Sequence, residues 1–389
     1  MVAAKSYSIA SRYLDYLSKE IELLAAHLGG RRRLSQLHWG GGTPTYLSAA
    51  DIARLRGIIT GSFELDSSAE QGIEIDPRVT TPEQLTLLRT FGFTRLSIGV
   101  QDLNREVQAA IGRRQSERVT RDVYECARHL RFDSINFDLV YGLPGQTLDG
   151  FRATLDAVVG LGPDRVAVYS YAHVPWLRPH QKLLDAARLP DAELKYQLIG
   201  AAIDMFTDAG YVAIGMDHFA RPGDDLAIAA ASHRLHRNFM GYTTQPATDM
   251  VGVGLSAIGD IRGAYAQNHK KLSAYYAALD KGLFPTERGC LLSRDDLVRR
   301  HVIGELMCNF RVSRESVARR FGIDFDDYFA EELSLLESGA GPAADGFVEV
   351  DGDTIGVTPR GRLFVRTVCM VFDRYLATHQ GAPTFSRTI

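Results

Sequence analysis

The chain alternates two hydrophobic rhythms over its first two-thirds. Short apolar runs of strand length recur: "QLHW" (36–39), "GIEID" (72–76), "RLSIGVQ" (95–101), "SINFDLVYG" (134–142), "RVAVYSYAH" (165–173) and "YVAIGMDHF" (211–219). Between them the apolar positions return at helical spacing, as in "SAADIARLRGIITGSF", "TPEQLTLLRTFGF" and "TLDGFRATLDAVVGLG". Several of these stretches open on Ser, Thr or Asp, residues that accept the orphan amide hydrogens of a first helical turn. Near-continuous apolar strands alternating with helices predict a parallel sheet covered by helices. Six βα units favour an α/β fold of the TIM type, an incomplete (βα)6 barrel, over an open doubly wound sheet. The chain opens on a helix, "IASRYLDYLSKEIELLAAHLGG", with no strand before it, so the barrel is expected to lack its first strand.

Near residue 225 the rhythm breaks. Residues 1–225 read as the partial barrel, and 226–294 as a mixed, turn-rich connecting segment crossing the barrel mouth. Residues 295–389 read as a small α+β domain. In it "DLVRRHVIGELMCNF", "SRESVARRFG" and "FAEELSLLESG" are helical, and "GFVEVDGDTIGVT" is a hairpin turning at Asp351-Gly352-Asp353. That order is winged-helix-like. Duplex binding is disfavoured, because 295–389 carry 11 Arg and Lys against 15 Asp and Glu. A docking or lid role fits that balance better. The formal net charge of −3 likewise argues for small-molecule chemistry and against a nucleic-acid partner. No apolar run reaches membrane-spanning length and the N-terminus has no signal-peptide core, so no membrane partner and a cytoplasmic location are expected.

Chemistry concentrates at the predicted strand ends, where barrel enzymes keep it. Gly40, Gly41, Gly42 and Thr43 follow the first strand, Glu74 and Asp76 end the second, and Gln101 and Asp102 the third. Asp138 interrupts the fourth, and the fifth and sixth end in Tyr171-Ala172-His173 and Asp217-His218. Carboxylates for ribose hydroxyls, an amide for a purine edge and glycines for close backbone approach suit a nucleotide-like ligand. Dinucleotide and P-loop signatures are absent, and His233/His236 make only a weak metal pair. His173, His218 and His236 read as hydrogen-bonding core residues. Cys126, Cys290, Cys308 and Cys369 are scattered, the closest two 18 positions apart, and read as four separate reduced thiols.

From about residue 12 to 376 the sequence resembles the oxygen-independent coproporphyrinogen III oxidase (dehydrogenase) family of radical S-adenosylmethionine enzymes. The resemblance rests on "QLHWGGGTPTYL", "IEIDPR", "RLSIGVQDLNREVQ", "NFDLVYGLPGQT", "YAHVP", "GMDHFARP", "GVGLSAIGDI", "DYFAEEL" and "TPRGRLFVRTVCM". It implies a [4Fe-4S] cluster that cleaves S-adenosylmethionine to a 5′-deoxyadenosyl radical. The radical then starts the oxidative decarboxylation of two propionates of coproporphyrinogen III, giving protoporphyrinogen IX. An electron donor and an acceptor are implied partners. By motif, Gly41, Glu74 and Ile258 match contacts to the cluster-bound S-adenosylmethionine. Gly42, Thr43, Gln101, Arg113, Asp138 and Ala172 match contacts to a second molecule beside it. The family's CxxxCxxC cluster loop falls upstream of Met1, so this chain is expected to be a truncated form that ligates no cluster, cleaves no S-adenosylmethionine and aggregates when made alone. A non-catalytic haem or porphyrin carrier on the same scaffold is the other expectation, with Arg221, Arg237 and Arg311 meeting propionates.

Overall fold

The computed structural model describes residues 7–246 and 249–376. Helix α1 (Tyr7–Leu28) leads into β1 (Arg33–Trp39), α2 (Ala49–Ser62), β2 (Glu64–Ile75), α3 (Pro82–Thr90) and β3 (Arg95–Gln101). There follow α4 (Arg105–Ala110), α5 (Glu117–His129), β4 (Ser134–Tyr141), α6 (Leu148–Leu161), β5 (Arg165–Ser170) and α7 (Ala192–Asp208). The helix starts obey their capping chemistry. Ser48, Thr81, Thr147 and Asp191 each accept a backbone N–H, and at Thr81 the side chain of Gln84 returns the bond to complete a capping box.

Strands β1 to β5 pair in parallel and in sequence order. The sixth unit departs from a barrel repeat. "YVAIGMDHF" folds into two short strands, β6 (Val212–Ile214) and β7 (His218–Ala220), and β7 runs antiparallel to β5. Gly215, at φ +57°, sits in the link between them, which turns the chain back rather than letting it continue as one strand. The sheet order is β1-β2-β3-β4-β5-β7-β6, and β1 and β6 remain edges among the described residues.

The strands are less uniformly apolar than their sequences suggest, because the two faces of the pleat differ. Leu96, Ile98 and Val100 of β3, Ile135, Phe137 and Leu139 of β4, and Val166 and Val168 of β5 are all buried in one core with Leu85, Leu88, Phe151, Leu155, Leu198 and Phe206 from the helices. The opposite positions, Arg95, Ser97, Asn136, Asp138, Arg165 and Tyr169, border a cavity. The helix-covered face supplies the hydrophobic stabilisation, about 25 cal/mol for each Å² buried, and leaves the other face available for polar groups.

After the sheet come α8 (Asp225–Ala231), the hairpin β8 (His236–Asn238) and β9 (Gly241–Thr243), and a three-stranded antiparallel sheet. That sheet consists of β10 (Ile258–Ile261), β11 (Ala264–Asn268) and β12 (Thr286–Leu291), with α9 (Leu272–Asp280) between the last two. The C-terminal part contains α10 (Arg294–Asn309), β13 (Arg311–Ser313), α11 (Arg314–Phe321), α12 (Phe325–Tyr328) and α13 (Ala330–Glu337). Strands β14 (Val348–Asp351) and β15 (Thr354–Val357) and helix α14 (Val365–Met370) follow. Asp351 pairs with Thr354 across the expected hairpin turn, and β15 lies between β13 and β14. Val302, Leu306, Phe329, Ile355 and Phe372 centre a second core. Residues 377–389 of the expected C-terminal domain lie outside the described residues.

A buried acid ties the first helix to the second sheet. Glu20 of α1 is 3% exposed and accepts hydrogen bonds from Gly254 N (2.8 Å), Tyr275 Oη (2.5 Å) and Asn268 Nδ2 (2.6 Å). Burial raises the pKa of its carboxyl, and the three donors act in the opposite sense. Two turns earlier, the Tyr13 hydroxyl accepts from Leu255 N at 2.7 Å. The 252–257 loop is thereby held against α1 immediately before Ile258 begins β10.

Candidate active site

The polar face of the sheet and the β8–β9 hairpin enclose a cavity of about 350 Å³. Glu74, Gln101 and Asp138 all line it, together with His38, Ser97, Asn136, Tyr169, His218 and Tyr242. The glycines after β1 serve this wall. Gly41 N donates to Glu74 Oε2 at 3.1 Å, and a Cβ on Gly40 would sit 2.7 Å from Glu74 Oε1 and 2.8 Å from His38 Nε2. A side chain at Gly40 would have to displace the Glu74 carboxylate and the His38 ring from these positions. Gly41 itself has φ +81°, which the left-handed region permits without strain for glycine alone.

Gln101 ends β3 in a left-handed conformation, φ +65°, where the pairing with β4 slips by one residue. A bulge with a non-glycine residue at positive φ is strained, and such strain gathers at sites where a side chain must be re-aimed. Arg113 stands behind it. The guanidinium donates to Gly99 O (2.9 Å) and Gln115 Oε1 (3.1 Å) and pairs with Asp76 Oδ2 at 3.1 Å. Sequence alone allows Arg113 to be a solvated charge; it is instead an enclosed brace for the Gly99–Gln101 turn. Asp76 is held below the ordinary carboxylate range, because hydrogen bonds from Arg78 and the charge of Arg113 outweigh its burial.

Asp138 accepts from Ser97 Oγ (2.6 Å) and Asn136 Nδ2 (2.8 Å). The cavity gives water a path to this carboxyl, but protein encloses it on every other side. Burial, aided by the negative charge of Glu74, raises its pKa to about 6 against the hydrogen bonds and the pull of His218. Asn136 Oδ1 is buried without a hydrogen-bond partner on the same wall. His218 Nδ1 lies 2.7 Å from Asp217 Oδ1, and its ring meets those of Tyr169 and Tyr242 edge-on at 5.7 and 5.1 Å. That agrees with a hydrogen-bonding core role for His218. At the far end Arg95 pairs with Glu70 and Asp225, and Arg165 with Asp224.

The other expected contacts lie around the rim or beyond it. Gly42 and Thr43 carry the chain out of β1 into a short helical turn, Pro44–Tyr46. Ala172 follows β5, its carbonyl accepting from Gln181 Nε2 at 2.9 Å. Ile258 belongs to the second sheet and is not part of the cavity wall. Sequence reasoning missed Ser97, Asn136, His38 and Tyr169. The signal was present: Ser97 lies two residues after Arg95, Asn136 two before Asp138 and Tyr169 four after Arg165, so each repeats a polar side chain on one face of its strand.

Residues 8–158 match the profile of the Radical SAM superfamily, and residues 292–364 that of the HemN C-terminal domain. The chain is 46% identical to the oxygen-independent coproporphyrinogen III oxidase of Synechocystis over 97% of its own length and 81% of the relative's. With the Escherichia coli enzyme of the same name identity is 47%, over 98% of this chain and 82% of the relative. The chain belongs to the oxygen-independent coproporphyrinogen III oxidase family. Its structure is similar to that solved for coproporphyrinogen III oxidase (HemN) from Escherichia coli, with a TM-score of 0.93 at 46% identity, covering 96% of this chain and 85% of that one. Membership makes the fold a radical S-adenosylmethionine fold with a family-specific C-terminal domain.

The family implies two groups, S-adenosylmethionine and a [4Fe-4S] cluster. Glycines leave a cradle beside Glu74, Asn136 of the cavity wall has a buried Oδ1 without a partner, and carboxylate and amide groups converge there. That donor set fits S-adenosylmethionine. The thiols do not fit a cluster. Cys126 is half-buried and Cys290 exposed, while burial pushes Cys308 and Cys369 up to about 12. Among the described residues no three His, Cys, Asp or Glu side chains converge as a metal would require. Likewise, among the described residues no helix is long and apolar enough to cross a membrane.

Two of the three cations expected to meet propionates stand elsewhere. Arg221 lies at the opposite end of the sheet, donating to Pro163 O (3.3 Å) and Gly162 O (3.4 Å) at the end of α6 and stacking over Tyr211. Arg311 is on β13, where its charge acts on Asp353. Only Arg237, over the Tyr242 ring, borders the cavity wall. Arg221→Ala is therefore expected to lower stability by about 1 kcal/mol and to leave porphyrin affinity unchanged. Urea denaturation and porphyrin titration of the variant check both halves.

Proposed function

We propose that this chain binds S-adenosylmethionine in the cavity of the parallel sheet and acts in the oxidative decarboxylation of coproporphyrinogen III to protoporphyrinogen IX. The observation that carries this reading is the convergence of Glu74, Gln101 and Asp138 on one cavity, with Gly41 N fixed to Glu74. S-adenosylmethionine would supply the family's 5′-deoxyadenosyl radical only on receiving one electron from a reduced [4Fe-4S] cluster, a group that the cysteines of this chain do not fit. Gly41, Glu74 and Ile258 are the contacts we assign to one molecule. Gly42, Thr43, Gln101, Arg113, Asp138 and Ala172 are those assigned to a second.

Each group has a role its chemistry allows. Glu74 accepts hydrogen bonds and offers negative charge to a cationic ligand, while Gly40 and Gly41 let that ligand approach the backbone. Asp138, poised near neutrality, accepts from hydroxyls once ionised. Arg113 holds the strained Gly99–Gln101 turn and thereby aims Gln101. Tyr169 and Tyr242 keep His218 from rotating and shield it from water. The electron donor and acceptor are separate molecules. The dispersed cysteines support the proposal that this chain, on its own, does not hold a [4Fe-4S] cluster.

The test is equilibrium binding of S-adenosylmethionine by calorimetry. Glu74→Ala and Gln101→Ala are each expected to weaken binding about fivefold, near 1 kcal/mol. An unaltered chain that takes up none would end the reading, and variants that bind as the unaltered chain does would move the site elsewhere.

A further inference from the structure

Between β5 and α7 the chain makes an excursion that neither the sheet nor the helices account for. Its root is built. Gln181 is 7% exposed, and its side chain accepts from Val174 N at 2.6 Å and donates to Ala172 O at 2.9 Å. Its far end is tied to the β4–α6 loop by Gly145 N, which donates to Arg188 O at 2.8 Å. A loop fixed at both ends nevertheless turns its large apolar side chains outward. Trp176 is 49% exposed, Leu177 60% and Leu183 88%. Leaving three such groups in water forgoes the burial energy that usually hides them.

Cations are interleaved with them. Arg178 and Lys182 are exposed, and neither forms an ion pair among the described residues. At the root, Tyr171 Oη and His173 Nδ1 are buried without hydrogen-bond partners, their rings 6.1 Å apart. The whole feature stands at the C-terminal ends of β4 and β5, directly after Tyr169 of the cavity wall. Its surface therefore combines three exposed apolar side chains with two cations that form no ion pair among the described residues, above a root that holds two buried polar atoms without partners. A tetrapyrrole macrocycle, whose pyrrole rings are apolar and whose rim carries carboxylates, has the complementary chemistry.

We propose that residues 174–189 form the platform on which the tetrapyrrole substrate seats one face, with Trp176, Leu177 and Leu183 against the ring and Arg178 and Lys182 meeting carboxylates at its rim. This rests on the function proposed above and extends it to the groups that recognise the substrate. All five side chains are exposed, so replacing them leaves the fold intact.

The probe is coproporphyrin III, an oxidised and unreactive relative of the substrate, titrated against the full chain by fluorescence. Trp176→Ala is expected to weaken its binding about tenfold or more, as loss of a central aromatic anchor does. The double variant Arg178→Gln/Lys182→Gln is expected to bind more weakly and with a shallower dependence on salt. A porphyrin lacking carboxylates should not distinguish that variant from the unaltered chain. S-adenosylmethionine binding and the melting temperature should be unchanged in all three proteins. Porphyrin affinity within twofold of the unaltered chain in both variants would overturn the platform alone and leave the surface free for a protein partner. No porphyrin binding by the unaltered chain would overturn the platform together with the function beneath it.

Discussion

Glu20→Ala is expected to lose about 4 kcal/mol of unfolding free energy, a large share of what holds a domain together. The carboxylate is the shared acceptor of Gly254 N, Tyr275 Oη and Asn268 Nδ2, in a place water does not reach. Alanine strands all three donors at once. Only Asn268 keeps an alternative, since its Nδ2 also donates to Gly254 O at 2.9 Å. Glu20→Gln keeps the shape and one carbonyl oxygen but turns an amide toward one of the donors, so a smaller loss of about 1–2 kcal/mol is expected. Urea denaturation of the three proteins settles the order. Alanine within 1 kcal/mol of the parent would mean that the 252–257 loop finds other partners, at odds with the role given to Glu20. The effect also has a functional side. Ile258 follows that loop directly, so the alanine variant should bind S-adenosylmethionine more weakly than its residual stability alone explains.

Asp138→Asn is expected to separate stability from binding. The carboxyl titrates near 4 in the unfolded chain and at about 6 in the folded protein, so the fold favours its protonated form. That contribution is fully present below pH 4 and is lost as the pH rises through 6. The full displacement is worth about 3 kcal/mol; water in the cavity screens it, and about 2 is expected. Asparagine does not titrate. It retains an oxygen for one donor, and its amide can donate to Ser97 Oγ, so the local network survives. The stability of the variant relative to the parent should then climb by about 2 kcal/mol between pH 4 and pH 7. Meanwhile its affinity for S-adenosylmethionine at pH 7.5 should fall by about tenfold or more, because an ionised acceptor has become a neutral one. In the parent, affinity should decline as the pH drops below 6. A relative stability independent of pH would show that Asp138 is not perturbed in the way its burial requires.

The strand positions and their parallel order were legible because apolar side chains mark the helix-covered face: Leu96, Ile98 and Val100, or Ile135, Phe137 and Leu139, announce themselves in any pattern. Glu74, Gln101 and Asp138 were legible as carboxylate and amide groups where strands end or are interrupted. Ser97 and Asn136 were not, since small neutral polar residues inside an apolar run look like ordinary tolerated exceptions until their spacing is counted. The turn at Gly215 also escaped notice. "YVAIGMDHF" has the composition of one strand, and nothing local says that the chain reverses within it. Arg113 and Arg221 are the opposite lesson. An arginine carries the same charge in a brace, a helix end or a binding pocket, and only its neighbours decide which it is.

The pleat of β3, β4 and β5 has a consequence for how such a protein can change over time. Residues that hold the sheet to its helices alternate with residues that face the cavity, and the two sets touch different neighbours. Selection can therefore rewrite the odd positions while the even ones stay constant, much as a lock can be re-pinned without replacing the door. Chemistry and folding are encoded in the same six to eight letters of each strand, yet they can be inherited separately.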